Sequence, residues 1–204
     1  VKGAGRTISG KPVSRRLDYV FENDVALGRI LKYLEYTIDP RQPSRKLIHN
    51  TIIVFTSDNG AEVKEKSATG PFRSNKGSCY EGGHRVPFLI SWPGGEVGNG
   101  NPFDNGKVSA QLIGLQDLYA TFSNILGVDL PELMEGEKGA EDSFDIMPAL
   151  RGKKVPNRPM FFNDHKEGKK GAACAMRLDD PIVKGEQVPG KWKIFFDDSL
   201  LRKG

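Results

Sequence analysis

Asp58 and Asn59 stand directly behind the apolar run Thr51-Ile52-Ile53-Val54-Phe55, in the order Thr56-Ser57-Asp58-Asn59-Gly60. A carboxylate beside an amide oxygen suits a hard cation, Ca²⁺ or Mg²⁺, which takes oxygen ligands. A histidine at 59 would have suited a softer ion such as Zn²⁺. A few residues on, Gly70-Pro71-Phe72-Arg73-Ser74-Asn75-Lys76-Gly77-Ser78-Cys79-Tyr80-Glu81-Gly82-Gly83-His84-Arg85-Val86-Pro87 carries a lysine among glycines. Glycines at 70, 77, 82 and 83 let backbone approach a ligand closely, and the compact ammonium of Lys76 is a natural partner for a sulfuryl or phosphoryl oxygen. A hard-cation pair beside an anion-holding lysine predicts ester hydrolysis.

Each of these residues also has a plain structural reading. Asp-Asn-Gly after a strand is ordinary turn chemistry, and most lysines are solvated. Position favours the site: in open α/β sheets, ligands bind just outside the carboxyl ends of the strands. Arg73 reads as a tether for the loop and Glu81-Gly82-Gly83 as turn and cap chemistry. His84 reads as a wall residue, because a lone histidine is a weak catalytic signal.

The elements that must position these groups follow from periodicity. From Asp18, apolar residues at Val20, Val25, Leu27, Ile30, Leu31 and Leu34 form a helical stripe that Asp39-Pro40 ends. Arg41–Asn50 reads as a polar connector. Thr51–Thr56 and Val86–Ser91 read as buried parallel strands covered on both faces, the second stopped by Trp92-Pro93-Gly94-Gly95. Glu96–Lys107 is a Gly/Asn loop. Leu112, Leu115, Leu118, Tyr119, Phe122, Ile125 and Leu126 predict an amphipathic helix that Gly127 caps. A short helix is expected over Ser143–Leu150, and the Lys/Arg/Pro-rich stretch Arg151–Pro159 marks a boundary. Beyond it, Met160–Phe162, Ala172–Leu178 and Lys191–Phe196 read as short antiparallel strands. The expected organisation is an α/β domain over 1–152 and a small strand-rich α+β subdomain over 153–204.

Composition excludes several classes. The 204 residues are 37% hydrophobic and 27% charged, as in an ordinary globular protein. No apolar run is long enough for a membrane span. The net charge of +4 is mildly basic, with small clusters at Arg41/Arg45/Lys46, Lys153/Lys154/Arg158 and Lys166/Lys169/Lys170 that read as solvated loops or as attraction for polyanions. No basic stripe interleaves with aromatics, so nucleic acid is not an expected partner. Cys79 and Cys174 show neither metal-type spacing nor a disulfide framework. The opening Val1-Lys2-Gly3-Ala4 has no apolar leader, which predicts a mature or internal segment.

Ile52–Gly60 and Gly70–Gly94 together resemble the C-terminal half of the sulfatase family, the arylsulfatase-like hydrolases of the alkaline-phosphatase-like superfamily. Tyr19–Leu34, Gln116–Gly127, Glu141–Gly152 and Gly190-Lys191-Trp192-Lys193-Ile194 are similar in the same order. The resemblance implies part of an alkaline-phosphatase-like layered α/β/α sheet with a small C-terminal subdomain. It implies Asp58 and Asn59 as ligands of a divalent cation, usually calcium with magnesium also admitted, and Lys76 as a catalytic residue that binds a sulfate oxygen. The implied substrate is a sulfated small molecule or polysaccharide, and the implied setting is the periplasm or outside. Sulfatases attack sulfur with a formylglycine made in a Cys/Ser-x-Pro-x-Arg motif, which neither cysteine fits. Ser91-Trp92-Pro93-Gly94-Gly95 has Gly95 where arginine is required, a decoy. The family's N-terminal acidic ligands, other lysine and histidines also lack counterparts, so the nucleophile and the missing N-terminal half are expected outside this segment, which alone would be inactive. Two other readings are a phosphodiesterase- or phosphomutase-type relative on the same fold, which Asn59 argues against, and a non-catalytic module binding sulfated polysaccharide.

Overall fold

The computed structural model describes residues 15–62, 69–98, 106–130, 139–163 and 174–196. The expected elements occur in the expected order, with two hairpins and a short helix added, and the chain divides into two compact units, residues 1–53 with 90–106 and residues 54–89 with 107–204.

The first unit begins with helix α1, Arg15–Tyr36. Of its predicted stripe, Val25, Leu27, Leu31 and Leu34 are half-buried, whereas Val20 and Ile30 are exposed. The expected polar connector after it is instead a hairpin, β1 (Ile38–Asp39) and β2 (Gln42–Lys46), followed by a 3-10 turn at Leu47–Asn50. The cause is local. Buried Asp39 accepts the Arg41 backbone N–H at 3.0 Å and Arg41 Nε at 3.0 Å, an Asx turn that reverses the chain across Pro40.

Strands β3 (Ile53–Thr56) and β4 (Phe88–Ser91) pair with each other, and the division between the units runs through both. Both are shorter than expected and less covered. Phe55 and Leu89 are exposed and their neighbours half-buried. After β4, Pro93–Gly95 forms a 3-10 turn, and Trp92 and Val97 exchange backbone hydrogen bonds across it. The decoy serine, Ser91, is the last residue of β4.

In the second unit, helix α2 spans Glu81–His84, where the sequence suggested only a turn. Helix α3 spans Asp117–Leu126 and starts later than its apolar pattern, because Asp117 turns its carboxylate back to accept the Gly114 N–H at 2.7 Å. Gly127 ends α3 in the left-handed conformation, as expected, with its N–H on the Asn124 carbonyl and that of Val128 on Ser123. The short helix α4 covers only Met147–Leu150. The residues before it are drawn along α3: Ser143 Oγ donates to the Gln116 carbonyl at 2.6 Å, and buried Thr121 Oγ1 accepts the Ile146 N–H at 3.0 Å. Strands β5 (Met160–Asn163), β6 (Cys174–Asp179) and β9 (Lys191–Phe195) form an antiparallel sheet in the order β5-β6-β9. A hairpin of β7 (Ile182–Val183) and β8 (Glu186–Gln187), which the sequence did not suggest, joins β6 to β9. Among the described residues, no helix is long and apolar enough to cross a membrane.

Asp117 holds this unit's helical part together. Its side chain is fully buried, accepts the Phe144 N–H at 3.2 Å and pairs with Arg158. Arg158 also lies over the Phe144 ring, 4.3 Å from its centroid. Removing one partner of such a pair strands a buried charge. Replacing Arg158 with methionine is therefore expected to destabilise the fold by about 3–5 kcal/mol, measured as the shift in urea unfolding.

Candidate functional site

β3 ends at Thr56, and the chain bends through Ser57–Asn59. Ser57 Oγ donates to the Asn59 carbonyl at 3.0 Å, closing the bend. Asp58 is exposed there and Asn59 half-buried. The loop that carries Lys76 is stitched to this strand end through backbone. Lys76 N–H donates to the Ala61 carbonyl at 2.9 Å, Gly60 N–H to the Gly83 carbonyl at 2.9 Å, and Gly82 N–H to the Arg73 carbonyl at 2.9 Å.

These contacts leave no room for side chains. A Cβ at Gly60 would strike the Gly82 carbonyl, one at Gly82 the Ser74 carbonyl, and one at Gly83 the Ser78 carbonyl. The Glu81-Gly82-Gly83 sequence is thus a requirement of close packing more than of turn conformation. Ser74 pays in strain, with φ at 67°.

The structure therefore brings the backbone of Lys76 to the residue two beyond Asn59. The side chains of Asp58, Asn59 and Lys76 make no hydrogen bond or ion pair with one another. The Lys76 ammonium is half-exposed and lies 3.2 Å from Glu62 Oε1, itself well exposed. A surface pair of this kind contributes only about 0–1 kcal/mol, so an arriving anion displaces it easily. Arg73, expected to tether the loop, stacks over the Tyr80 ring at 4.1 Å.

Behind the loop lies a polar cluster that sequence reasoning missed. Lys193 Nζ, rising from β9, donates to Glu81 Oε1 at 2.7 Å and to the Cys79 carbonyl at 3.0 Å, and it lies 2.6 Å from His84 Nε2. Arg177 on β6 donates to Glu81 Oε2 at 3.3 Å and to Asp179 Oδ1 at 3.2 Å. A lysine ammonium only donates. Toward Lys193 the His84 Nε2 therefore accepts as a neutral imidazole, and its 3.2 Å approach to the Cys79 carbonyl is then a contact to which it donates no proton. The ring stacks on Phe162 with centroids 3.8 Å apart. His84 is thus a wall residue, as expected, and also an acceptor for Lys193.

Burial and then the Lys193 charge hold the His84 pKa down at about 4, against the opposing pull of Glu81. Burial pushes the Glu81 carboxyl up, but its hydrogen bond from Lys193 and the charges of Lys193 and Arg177 outweigh this and leave its pKa lowered. Both groups act in one direction. The unfolded chain takes up a proton at His84 near pH 6.5, which the folded chain refuses until about pH 4, so stability falls as pH drops through that window. The His84 part amounts to about 3 kcal/mol. Glu81 adds a loss as pH falls below its ordinary 4.5. Urea midpoints measured from pH 7 to 4 should decline steeply, and less steeply in His84→Gln, whose amide oxygen still accepts from Lys193 without titrating.

The comparisons with known proteins agree on one family. The sulfatase family profile matches residues 2–128. The chain is 33% identical to pig (Sus scrofa) N-acetylgalactosamine-6-sulfatase over 149 residues, covering 71% of this chain and 25% of that protein. It is 34% identical to mouse (Mus musculus) steryl-sulfatase over 157 residues, 73% of this chain and 21% of that protein. Human (Homo sapiens) arylsulfatase A is 32% identical over 149 residues. The chain thus spans about a quarter of the length of these relatives. A solved structure, Ps i-CgsB in complex with k-i-k-neocarrahexaose, superposes with a TM-score of 0.57 at 25% identity, covering 90% of this chain and 36% of that one. The mixed helix-and-strand architecture is that of a partial alkaline-phosphatase-like α/β domain. With the profile matched over more than half its residues, this chain belongs to the sulfatase family.

Proposed function

We propose that this chain is the C-terminal part of an enzyme that hydrolyses sulfate esters, an arylsulfatase-like sulfuric ester hydrolase. The observation that carries this reading is the pair of backbone hydrogen bonds placing the Lys76 loop against the strand end that bears Asp58 and Asn59. In this reading Lys76 is a catalytic residue. Its ammonium leaves the weak pair with Glu62, binds a sulfuryl oxygen and stabilises the charge that grows as the S–O bond breaks. The exposed cations at Arg45, Lys153 and Lys154 favour anionic substrates, a sulfated small molecule or a sulfated polysaccharide, while Lys166, Lys169 and Lys170 lie outside the described residues.

The donor set at the strand end fits a hard cation, because both side chains offer oxygen. Asp58 and Asn59 would hold Ca²⁺, with Mg²⁺ as the alternative, and the bound ion would supply Lewis-acid neutralisation of the sulfate. Two oxygens fall short of the six to eight that calcium takes. Among the described residues no three His, Cys, Asp or Glu gather as a further metal set. The remaining ligands would come from other parts of the enzyme, as would the formylglycine nucleophile, for which these 204 residues hold no Cys/Ser-x-Pro-x-Arg motif.

Lys76→Ala in the full-length enzyme is expected to lower hydrolysis of an aryl sulfate by about 10²–10³, and undiminished turnover would refute the role of the lysine. Calcium should raise the melting temperature of the wild-type enzyme and do so much less in Asp58→Ala. An equal rise in both would exclude Asp58 as a ligand. The 204-residue chain alone should show no turnover of the same substrate.

A further inference from the structure

The sheet register sets two cations against each other. Arg177 on β6 and Lys193 on β9 are direct cross-strand partners, and like charges directly opposite on a sheet repel. Both side chains are largely buried, about 12% and 15% exposed, so water screens them little. Neither residue belongs to the loop of Lys76. Asp179 on β6 itself accepts from Arg177 at 3.2 Å, and the carboxylate shared by both cations comes from that loop: Glu81 offers Oε1 to Lys193 at 2.7 Å and Oε2 to Arg177 at 3.3 Å.

Lys193 has a second and a third attachment to the same loop. Its three N–H bonds match three acceptors, Glu81 Oε1, the Cys79 carbonyl and His84 Nε2, all within 3.0 Å. These acceptors lie between three and eight residues after Lys76. The Phe162 ring covers the ammonium at 4.8 Å from its centroid, and Cys79 is buried beside it, its thiol on the Phe162 carbonyl at 3.5 Å. The loop is therefore gripped from two sides. Strand-end backbone at Gly60 and Ala61 holds one side, and the β5-β6-β9 sheet holds the other.

We propose that Lys193, supported by Arg177, is a positioning residue for Lys76: the cation pair on the C-terminal sheet is a built receptor for Glu81 and the Cys79 carbonyl that keeps the Lys76 loop against the strand end. The link to sulfate binding rests on the function proposed above, while the grip on the loop does not. Lys193 touches no substrate in this scheme. It acts through the loop, and its loss should release the loop's backbone before it disturbs the sheet.

The test is amide hydrogen exchange and steady-state kinetics on the full-length enzyme carrying Lys193→Met, with Lys193→Arg and Glu81→Gln as second variants that keep size and polarity. Hydrogen bonds to charged groups of this kind are worth a factor of about ten to a hundred in local opening. Exchange at the Lys76, Gly82 and Gly83 amides should quicken by that factor in Lys193→Met and Glu81→Gln, while in Lys193→Met, which removes one of the two opposed cations, amides of β5, β6 and β9 stay protected. Lys193→Arg should restore much of the loop's protection. KM for an aryl sulfate should rise in Lys193→Met, and the double variant with Lys76→Ala should be no worse than Lys76→Ala alone. Unchanged exchange at the three loop amides, or additive losses in the double variant, would overturn the proposal. If Lys76→Ala keeps full turnover while Lys193→Met still frees the loop amides, the sulfatase role of Lys76 falls and the grip stands.

Discussion

Backbone packed against backbone at Gly60, Gly82 and Gly83 is the constraint on which the rest of this site depends. Wherever a side chain replaced hydrogen at these positions, it would meet a carbonyl oxygen of the neighbouring turn. The closeness is what allows the Gly60 N–H to reach the Gly83 carbonyl and the Lys76 N–H to reach the Ala61 carbonyl. A strand end and a loop that are far from continuous in sequence thereby become one rim. Asp58 and Asn59 lie on one part of that rim and Lys76 on the other, all in the same compact unit.

The electrostatics behind the rim serve the same end by different means. Taking a carboxylate out of water is costly unless it is paired and hydrogen-bonded, and half-buried Glu81 is both, shared between Lys193 and Arg177. The neutral imidazole of His84 completes the ammonium's set of acceptors. In front of the rim the arrangement is the reverse. Lys76 is exposed and, among the described residues, paired only with exposed Glu62, a weak pair that a ligand could displace. Strong pairs hold the scaffold, and a weak surface pair holds the lysine for which a catalytic role is proposed.

Much of this was legible in the sequence. Local signals read correctly where local chemistry decides: Gly127 ends α3, Trp92-Pro93 stops β4, and the strand-end position of Asp58 and Asn59 follows from the apolar run before them. The hairpin at Ile38–Lys46 was missed because its cause is one side chain, Asp39, folding back on Arg41, in a stretch too polar to read as strand. The apolar period of Leu112 and Leu115 predicts a longer α3 than forms, because the Asp117 carboxylate that breaks it looks in sequence like any first-turn acid. The Lys193–Arg177–Glu81 cluster could not be read from one sequence. It depends on the register of β6 against β9 and on where that sheet meets a loop about a hundred residues earlier. An arginine and a lysine in the middle of mostly apolar strands were the available signal.

A crystal structure of the full-length enzyme grown with Ca²⁺ and sulfate tests the central claim most directly. The account predicts a cation with Asp58 and Asn59 oxygens at roughly 2.3–2.6 Å and a sulfate oxygen within about 3 Å of the Lys76 ammonium, with the Glu62 pair broken. A cation bound away from both oxygens, or a sulfate seated in the active site with Lys76 still on Glu62, would contradict it.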